Sequence, residues 1–88
     1  MPKVPLFSIV EDNLSFRESL RLLMASLDYN VETFSSAASF LTSPRLIETR
    51  CLIADVQMPS MSGIELYRHL IEVGHAIPTI LMTAYPRR

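Results

Sequence analysis

Four short strand-like runs alternate with helical patterns along the chain, and this order restricts the possible fold more than any other feature. The runs cover residues 6–10, 30–34, 51–54 and 79–82. Strands separated by helices predict a parallel sheet that is covered on both faces. The order βαβαβαβ therefore predicts an α/β protein with a doubly wound parallel sheet.

The first helix is expected to follow Glu11 and Asp12, with its start marked by Ser15. Ser15 followed by Glu18 fits a capping box, in which each side chain satisfies a free backbone N–H. Helical spacing predicts an inward face, an outward face and an end near Asp28. The inward residues are Phe16, Leu20, Leu23 and Leu27, and the outward residues are Arg17, Glu18 and Arg21.

Two more helices are indicated by their caps. Ser35 and Ser36 are candidate caps for a short helix that reaches Leu41. Ser62 and Glu65 form a second capping box, and the helix that follows should close at Gly74. We expect Leu66, Leu70 and Ile71 to face inward on this third helix.

Composition excludes several functional classes. The 88 residues suffice for one domain, and 49% hydrophobic residues support a globular core. A formal net charge of −1 with scattered basic residues argues against direct nucleic-acid binding. Cys51 is the only cysteine, so an intrachain disulfide is impossible. No apolar run approaches the roughly 18 residues that span a bilayer. We therefore expect a cytoplasmic protein without a membrane segment.

Polar residues follow three of the predicted strands. Glu11 and Asp12 follow the first strand, Asp55 the third and Thr83 the fourth. Each residue alone is more often a cap or a loop residue. Together they should meet at one rim, because ligands of open parallel sheets bind beyond the carboxyl ends of the strands.

Three carboxylates at one rim require a counter-charge. Two carboxylates about 5 Å apart repel by roughly 3 kcal/mol at an effective dielectric constant near 20. Oxygen ligands without histidine or cysteine suit a hard cation. Mg²⁺ fits best, because it often bridges a few carboxylates to a phosphate.

Three stretches of the sequence resemble the receiver domains of response regulators. They are residues 9–13 (Ile-Val-Glu-Asp-Asn), residues 52–63 (Leu-Ile-Ala-Asp-Val-Gln-Met-Pro-Ser-Met-Ser-Gly) and residues 78–84 (Pro-Thr-Ile-Leu-Met-Thr-Ala). Residues 16–20 and 33–37 are most similar to receivers of the FixJ type. The resemblance implies the flavodoxin/CheY-like receiver fold over residues 1–88, with no DNA-binding domain in this chain.

The resemblance also implies a role for each rim residue. Asp55 would accept a phosphoryl group from the phosphohistidine of a sensor histidine kinase. Glu11, Asp12, Asp55 and the backbone carbonyl of Gln57 would hold Mg²⁺. Thr83 would donate its hydroxyl to a phosphoryl oxygen. Gln57 and Tyr85 would modulate the lifetime of the phosphorylated state, and Pro59 and Gly63 would shape the adjoining loop.

Other residues receive plainer interpretations. Leu14, Arg17 and Arg21 correspond to the surface where such receivers dock their kinase, although isolated arginines are more often simply solvated. His69, His75 and Cys51 match no functional position, and we interpret them as a surface histidine, a loop histidine and a core-packing thiol.

Receivers usually have five strands and five helices in about 120 residues, so the resemblance implies a domain incomplete at its C-terminus. The elements expected to be missing are the fourth helix, the fifth strand with the family's lysine and switch aromatic, and the fifth helix. The fourth strand would then be an exposed apolar edge, and such edges pair with other chains. We therefore expect self-association through this edge.

Two alternatives to phosphotransfer remain. A receiver without the lysine could be incompetent for phosphorylation and act as an interaction or dimerisation module. An enzyme, such as a phosphatase with an aspartyl nucleophile, would usually carry a second acid two residues after the nucleophile. Gln57 occupies that position, and no G-x-G-x-x-G motif supports a dinucleotide enzyme. We expect no enzymatic turnover.

Overall fold

A computed structural model of the chain describes residues 4–83. Four strands, three α-helices and one short 3₁₀ segment form this part of the chain. The strands are β1 Leu6–Val10, β2 Asn30–Phe34, β3 Thr49–Asp55 and β4 Thr79–Met82. The helices are α1 Leu14–Ser26, α2 Ala37–Leu41 and α3 Gly63–Glu72, with the 3₁₀ segment at Leu46–Glu48.

The strands form one parallel sheet in the order β2-β1-β3-β4. The chain first steps from β1 to β2 and then crosses β1 to reach β3, so the direction of winding reverses. Because parallel crossovers are almost always right-handed, this reversal places α1 on one face and α2 and α3 on the other. The predicted doubly wound α/β sheet is confirmed.

The main core lies between the sheet and the helices α2 and α3. Side chains from β1 and β3 contact the two helices through residues that are at most 5% exposed. These residues are Val10, Ala37, Phe40, Leu52, Ala54, Leu66, Leu70 and Ile77. A T-shaped contact between Phe34 and Phe40, with ring centroids 5.3 Å apart, extends this core to β2.

Two helix caps agree with the sequence prediction. The Ser36 hydroxyl accepts the Ser39 N–H, and the Ser62 hydroxyl accepts the Glu65 N–H in a reciprocal capping box. The third helix ends at Glu72, and Gly74 follows with φ of 78°. That left-handed conformation suits glycine and explains the end of the helix.

The predicted capping box at Ser15 is wrong. Asn13 caps α1 instead, because its Oδ1 accepts the Phe16 N–H at 2.9 Å and the helix begins at Leu14. Ser15 is therefore a helical residue, and Glu18 pairs with Arg21 rather than with the helix start. Asparagine and serine are equally good caps, so propensity alone could not choose between them.

Three residues predicted to face inward are exposed. Leu23 and Leu27 at the end of α1 are 55% and 58% exposed, and Ile71 on α3 is 48% exposed. Helical spacing identifies an apolar stripe but not what covers it, and within residues 4–83 no element covers these side chains. No helix in the same range is long and apolar enough to cross a membrane.

Candidate functional site

The register of the sheet brings three strand ends to one rim. Val10 lies opposite both Phe34 and Ala54, so the residue after β1, Glu11, lies level with the end of β3. Asp55 lies opposite Met82, and Thr83 directly follows. Parallel strands thus place residues that are far apart in sequence at one edge.

Glu11, Asp12 and Asp55 form an acidic cluster at this rim. One carboxylate oxygen from each residue lies within 4.8 Å of the others. Glu11 is fully buried and Asp55 is 3% exposed, whereas Asp12 is exposed. Two of the three carboxylates are therefore held out of water, where their mutual repulsion is weakly screened.

Three hydrogen bonds hold Glu11 in place. Its backbone N–H donates to the Phe34 carbonyl at 3.0 Å, which ties it to β2. Its Oε2 accepts the Asn13 N–H at 2.9 Å. Its backbone carbonyl accepts a hydrogen bond from Nη1 of Arg17, also at 2.9 Å. The first turns of α1 therefore hold both the main chain and one side-chain oxygen of Glu11.

The second oxygen of Glu11 fits a cation ligand. Oε1 is buried and has no hydrogen-bond partner within residues 4–83. Burial raises the pKa of Glu11 to about 7, the Asn13 N–H opposes this rise, and the charges of Asp55 and Asp12 add to it. A buried unpartnered oxygen costs free energy unless a proton or a cation satisfies it. Together with the oxygen-only donor set, it fits a hard divalent ion.

Hydrogen bonds of its own side chain and of the next residue hold Asp55 in place. Its Oδ1 accepts the Gln57 N–H at 3.1 Å. The next residue, Val56, donates its N–H to the Met82 carbonyl at 2.8 Å and accepts from the Gly63 N–H at 3.3 Å. The end of β3 is thereby joined to β4 and to the start of α3.

The remaining predicted site residues are placed as follows. Gln57 is exposed and follows β3 in the rim loop, and Thr83 is exposed at the end of β4. Tyr85 lies outside the described residues. Pro59 is an exposed loop residue, whereas Gly63 is buried as the first residue of α3.

Three side chains that match no functional position of the family lie away from the rim. Cys51, on β3, is half-buried, and burial raises the pKa of its thiol. His69 is half-buried in the last turn of α3, and half-buried His75 follows Gly74, where its N–H donates to the Leu70 carbonyl at 2.8 Å.

Sequence reasoning missed two residues that shape the site. Asn13 caps α1 and donates its N–H to Glu11, and its position directly after the acidic pair could have suggested the cap. Arg17 contacts the Glu11 carbonyl from six residues away. Spacing along the helix gave no signal for that contact and indicated only an outward side chain.

A doubly wound parallel sheet with an acidic cluster beyond its strand ends defines a receiver-type signalling domain. The family model for the response regulator receiver domain matches residues 7–87. The chain belongs to this family, whose members are signalling modules of two-component systems.

Curated relatives of the chain are response regulators. The chain is 40% identical to the response regulator protein TmoT of Ectopseudomonas mendocina over 77 residues, which are 88% of this chain and 35% of the relative. It is 34% identical to the transcriptional regulatory protein FixJ of Azorhizobium caulinodans over 85 residues, 97% of this chain and 40% of the relative. The chain thus spans 35% to 40% of the length of these two relatives.

Solved structures of receivers have the same fold. The response regulator StyR is 40% identical, with a TM-score of 0.85 over 98% of this chain and 43% of that chain. The response regulator TrrA of Thermotoga maritima, in complex with Mg²⁺ and BeF, is 25% identical, with a TM-score of 0.82. That match covers 92% of this chain and 70% of the TrrA chain.

Proposed function

We propose that the chain accepts a phosphoryl group on Asp55 from the phosphohistidine of a sensor histidine kinase, with Mg²⁺ as cofactor. The observation that carries this proposal is the buried Asp55 carboxylate beside the buried, unpartnered Oε1 of Glu11. Burial of two neighbouring carboxylates costs free energy. A site that binds a cation and a charged reactant explains why these two are buried together.

Asp55 is the nucleophile. Because Oδ1 accepts the Gln57 N–H, Oδ2 is the oxygen left for attack. That oxygen forms a bond to phosphorus as the P–N bond of phosphohistidine breaks, and the electron pair of that bond returns to the imidazole. The main-chain hydrogen bonds of Val56 with Met82 and Gly63 would help to keep the neighbouring Asp55 carboxylate at the rim for this transfer.

Glu11, Asp12, Asp55 and the backbone carbonyl of Gln57 would hold the Mg²⁺. When bound, the ion neutralises charge on the transferring phosphoryl group. Thr83 would donate its hydroxyl to a phosphoryl oxygen, and Gln57 and Tyr85 would influence how long the phosphorylated state survives. A cytoplasmic location belongs to this proposal.

The exposed start of α1 is the proposed docking surface for the kinase. Leu14 is 62% exposed and lies one turn from the acidic rim, and Arg17 and Arg21 follow on the same helix. An apolar side chain flanked by basic groups suits a partner helix with an apolar and acidic face.

The test is incubation with Mg²⁺ and phosphoramidate, followed by intact-mass analysis. The parent protein should gain one phosphoryl group, and Asp55→Asn should gain none. Omission of Mg²⁺ with added EDTA should suppress the adduct. A folded parent protein that gains no phosphoryl group would contradict the proposal.

A second candidate function is that of an interaction module without phosphotransfer. Among residues 4–83, β4 is an edge strand with Ile80 53% exposed and Leu81 39% exposed. These features favour self-association through the outer edge of β4.

A further inference from the structure

We propose that Arg17 is a positioning residue for the acidic cluster and that its hydrogen bond to the Glu11 carbonyl strengthens Mg²⁺ binding. This inference rests on the Mg²⁺ site of the proposed function. It gives Arg17 a role inside the domain, in addition to its place on the proposed docking surface.

The contact joins a helix side chain to the main chain of a ligand residue. Nη1 of Arg17 lies 2.9 Å from the carbonyl oxygen of Glu11, and the two residues are six positions apart. An arginine guanidinium is a cationic donor, so this is a charge-assisted hydrogen bond and stronger than a neutral one. It reaches back over the first turn of α1 and ties the helix to the end of β1.

The Arg17–Glu11 hydrogen bond acts on a residue whose position affects Mg²⁺ binding. Mg²⁺ requires near-ideal octahedral geometry at short metal–oxygen distances, so small displacements of a ligand weaken binding. The Glu11 side chain is fully buried, and its ligand oxygen has no other partner within residues 4–83 that would orient it. The position of that oxygen therefore depends on the Asn13 N–H that binds Oε2 and on the main chain of Glu11, which Arg17 contacts.

Arg17 acts through the backbone rather than by neutralising a carboxylate. The ion pairs within residues 4–83 are Arg21–Glu18, Arg45–Glu32 and Arg45–Glu48. None of them includes a member of the acidic cluster. Loss of the Arg17 guanidinium should thus shift Glu11 without removing any of the three ligand carboxylates from the chain.

Arg21 provides a matched control on the same helix. Its guanidinium pairs with Glu18 at 2.7 Å, and both side chains are about 40% exposed. An exposed pair of this kind contributes little to stability. Arg17→Met and Arg21→Met remove the same charge and insert the same good helix former, but only Arg17→Met removes a contact with Glu11.

The experiment is a titration of the ¹⁵N-labelled full chain with MgCl₂, followed by amide chemical shifts. The parent, Arg17→Met, Arg17→Lys and Arg21→Met are compared, and urea unfolding of each is measured separately. Supporting contacts of metal ligands typically contribute 10- to 100-fold in affinity, so Arg17→Met should bind Mg²⁺ about tenfold more weakly than the parent. Arg21→Met should bind with the parent affinity, and Arg17→Lys, which keeps a charged donor, should lie between them.

Two results would overturn the inference in distinguishable ways. Equal Mg²⁺ affinity in the parent and both Arg17 variants, with only the urea midpoint lowered, would show that Arg17 merely stabilises the fold. A parent that shows no Mg²⁺-dependent shifts at all would remove the metal site itself, and the proposed function would fall with it.

Discussion

The main chain of Gly63 lies directly against the carbonyl oxygen of Asp55. A Cβ atom at Gly63 would lie 2.3 Å from that oxygen, and it would also lie 3.1 Å from a methyl group of Leu81. The start of α3 therefore packs on the end of β3 with no room for a side chain at Gly63. Any larger residue must push α3 or Asp55 out of position.

We accordingly predict that Gly63→Ala disturbs the site as well as the fold. Overpacking of this kind typically costs about 1–3 kcal/mol of stability. The displaced Asp55 should also slow phosphorylation by phosphoramidate, measured as the rate of adduct formation by intact mass.

Gly74→Ala is the control for that substitution. A Cβ at Gly74 meets no atom within 4 Å, but the positive φ of 78° makes alanine unfavourable there by about 1–2 kcal/mol. This variant should lose comparable stability and keep the parent rate. Equal rates in the two folded variants would show that Gly63 has no bearing on Asp55.

The helix cap at Asn13 gives a second prediction. Asn13→Ala removes the acceptor of the Phe16 N–H and should lower the free energy of unfolding by about 1 kcal/mol. Ser15→Ala, at a position inside the helix, should change it by only a few tenths. Urea unfolding followed by circular dichroism measures both, and a larger loss for Ser15→Ala would restore the capping box that the structure rejects.

The pKa of Glu11 predicts how stability depends on pH in the absence of metal. Its value of about 7 lies above the usual 4.5, so between these values the folded protein binds a proton that the unfolded chain does not. Stability is therefore greatest at the acidic end of this window and falls as pH rises through it, by as much as about 1.4 kcal/mol per pH unit.

Urea unfolding in EDTA at pH 5.5 and pH 7.5 tests this dependence. The parent should be less stable at pH 7.5, and Glu11→Gln, which cannot ionise, should show a smaller difference. Mg²⁺ favours the ionised carboxylate in the folded protein, so its addition should largely abolish this pH dependence in the parent. Parallel pH profiles for parent and variant in EDTA would mean that Glu11 does not titrate in this window.

A fourth prediction concerns association through β4. Ile80→Lys places a charge on the exposed edge strand and should shift the protein towards the monomer, as measured by light scattering across a concentration series. Ile47→Lys is the matched control, because Ile47 is 76% exposed and belongs to the 3₁₀ segment rather than to the edge strand. A parent that is strictly monomeric at high concentration would refute the association.

The strands could be predicted because each is a compact run with a sharp end. The predictions for Leu6–Val10, Asn30–Phe34 and Thr79–Met82 match the structure, whereas β3 covers Thr49–Asp55 and is longer at both ends than the predicted 51–54. Thr49 and Arg50 are polar, so the apolar pattern did not include them. The Thr49 hydroxyl is nevertheless buried and bonds to the Ser8 hydroxyl at 2.7 Å, which extends the strand.

The helix faces and the supporting contacts could not be predicted in the same way. Helical spacing correctly predicted that Leu66 and Leu70 face inward, but it made the same prediction for Leu23 and Leu27, which are exposed. Whether an apolar helix residue is buried depends on whether another element packs over it. The juxtaposition of Glu11, Asp12 and Asp55 followed from strand order, because parallel strands share one carboxyl edge. The bond from Arg17 to Glu11 depends on side-chain geometry that no periodic pattern encodes.

The most direct test of the central claim is to locate the phosphoryl group. After incubation with phosphoramidate and Mg²⁺, borohydride reduces an aspartyl phosphate to homoserine, which fragment-ion mass spectrometry can place in the sequence. We predict homoserine at position 55, in the parent protein only, and unmodified aspartate at position 12. Modification at Asp12 with Asp55 intact, or no modification in a protein shown to be folded, would contradict it.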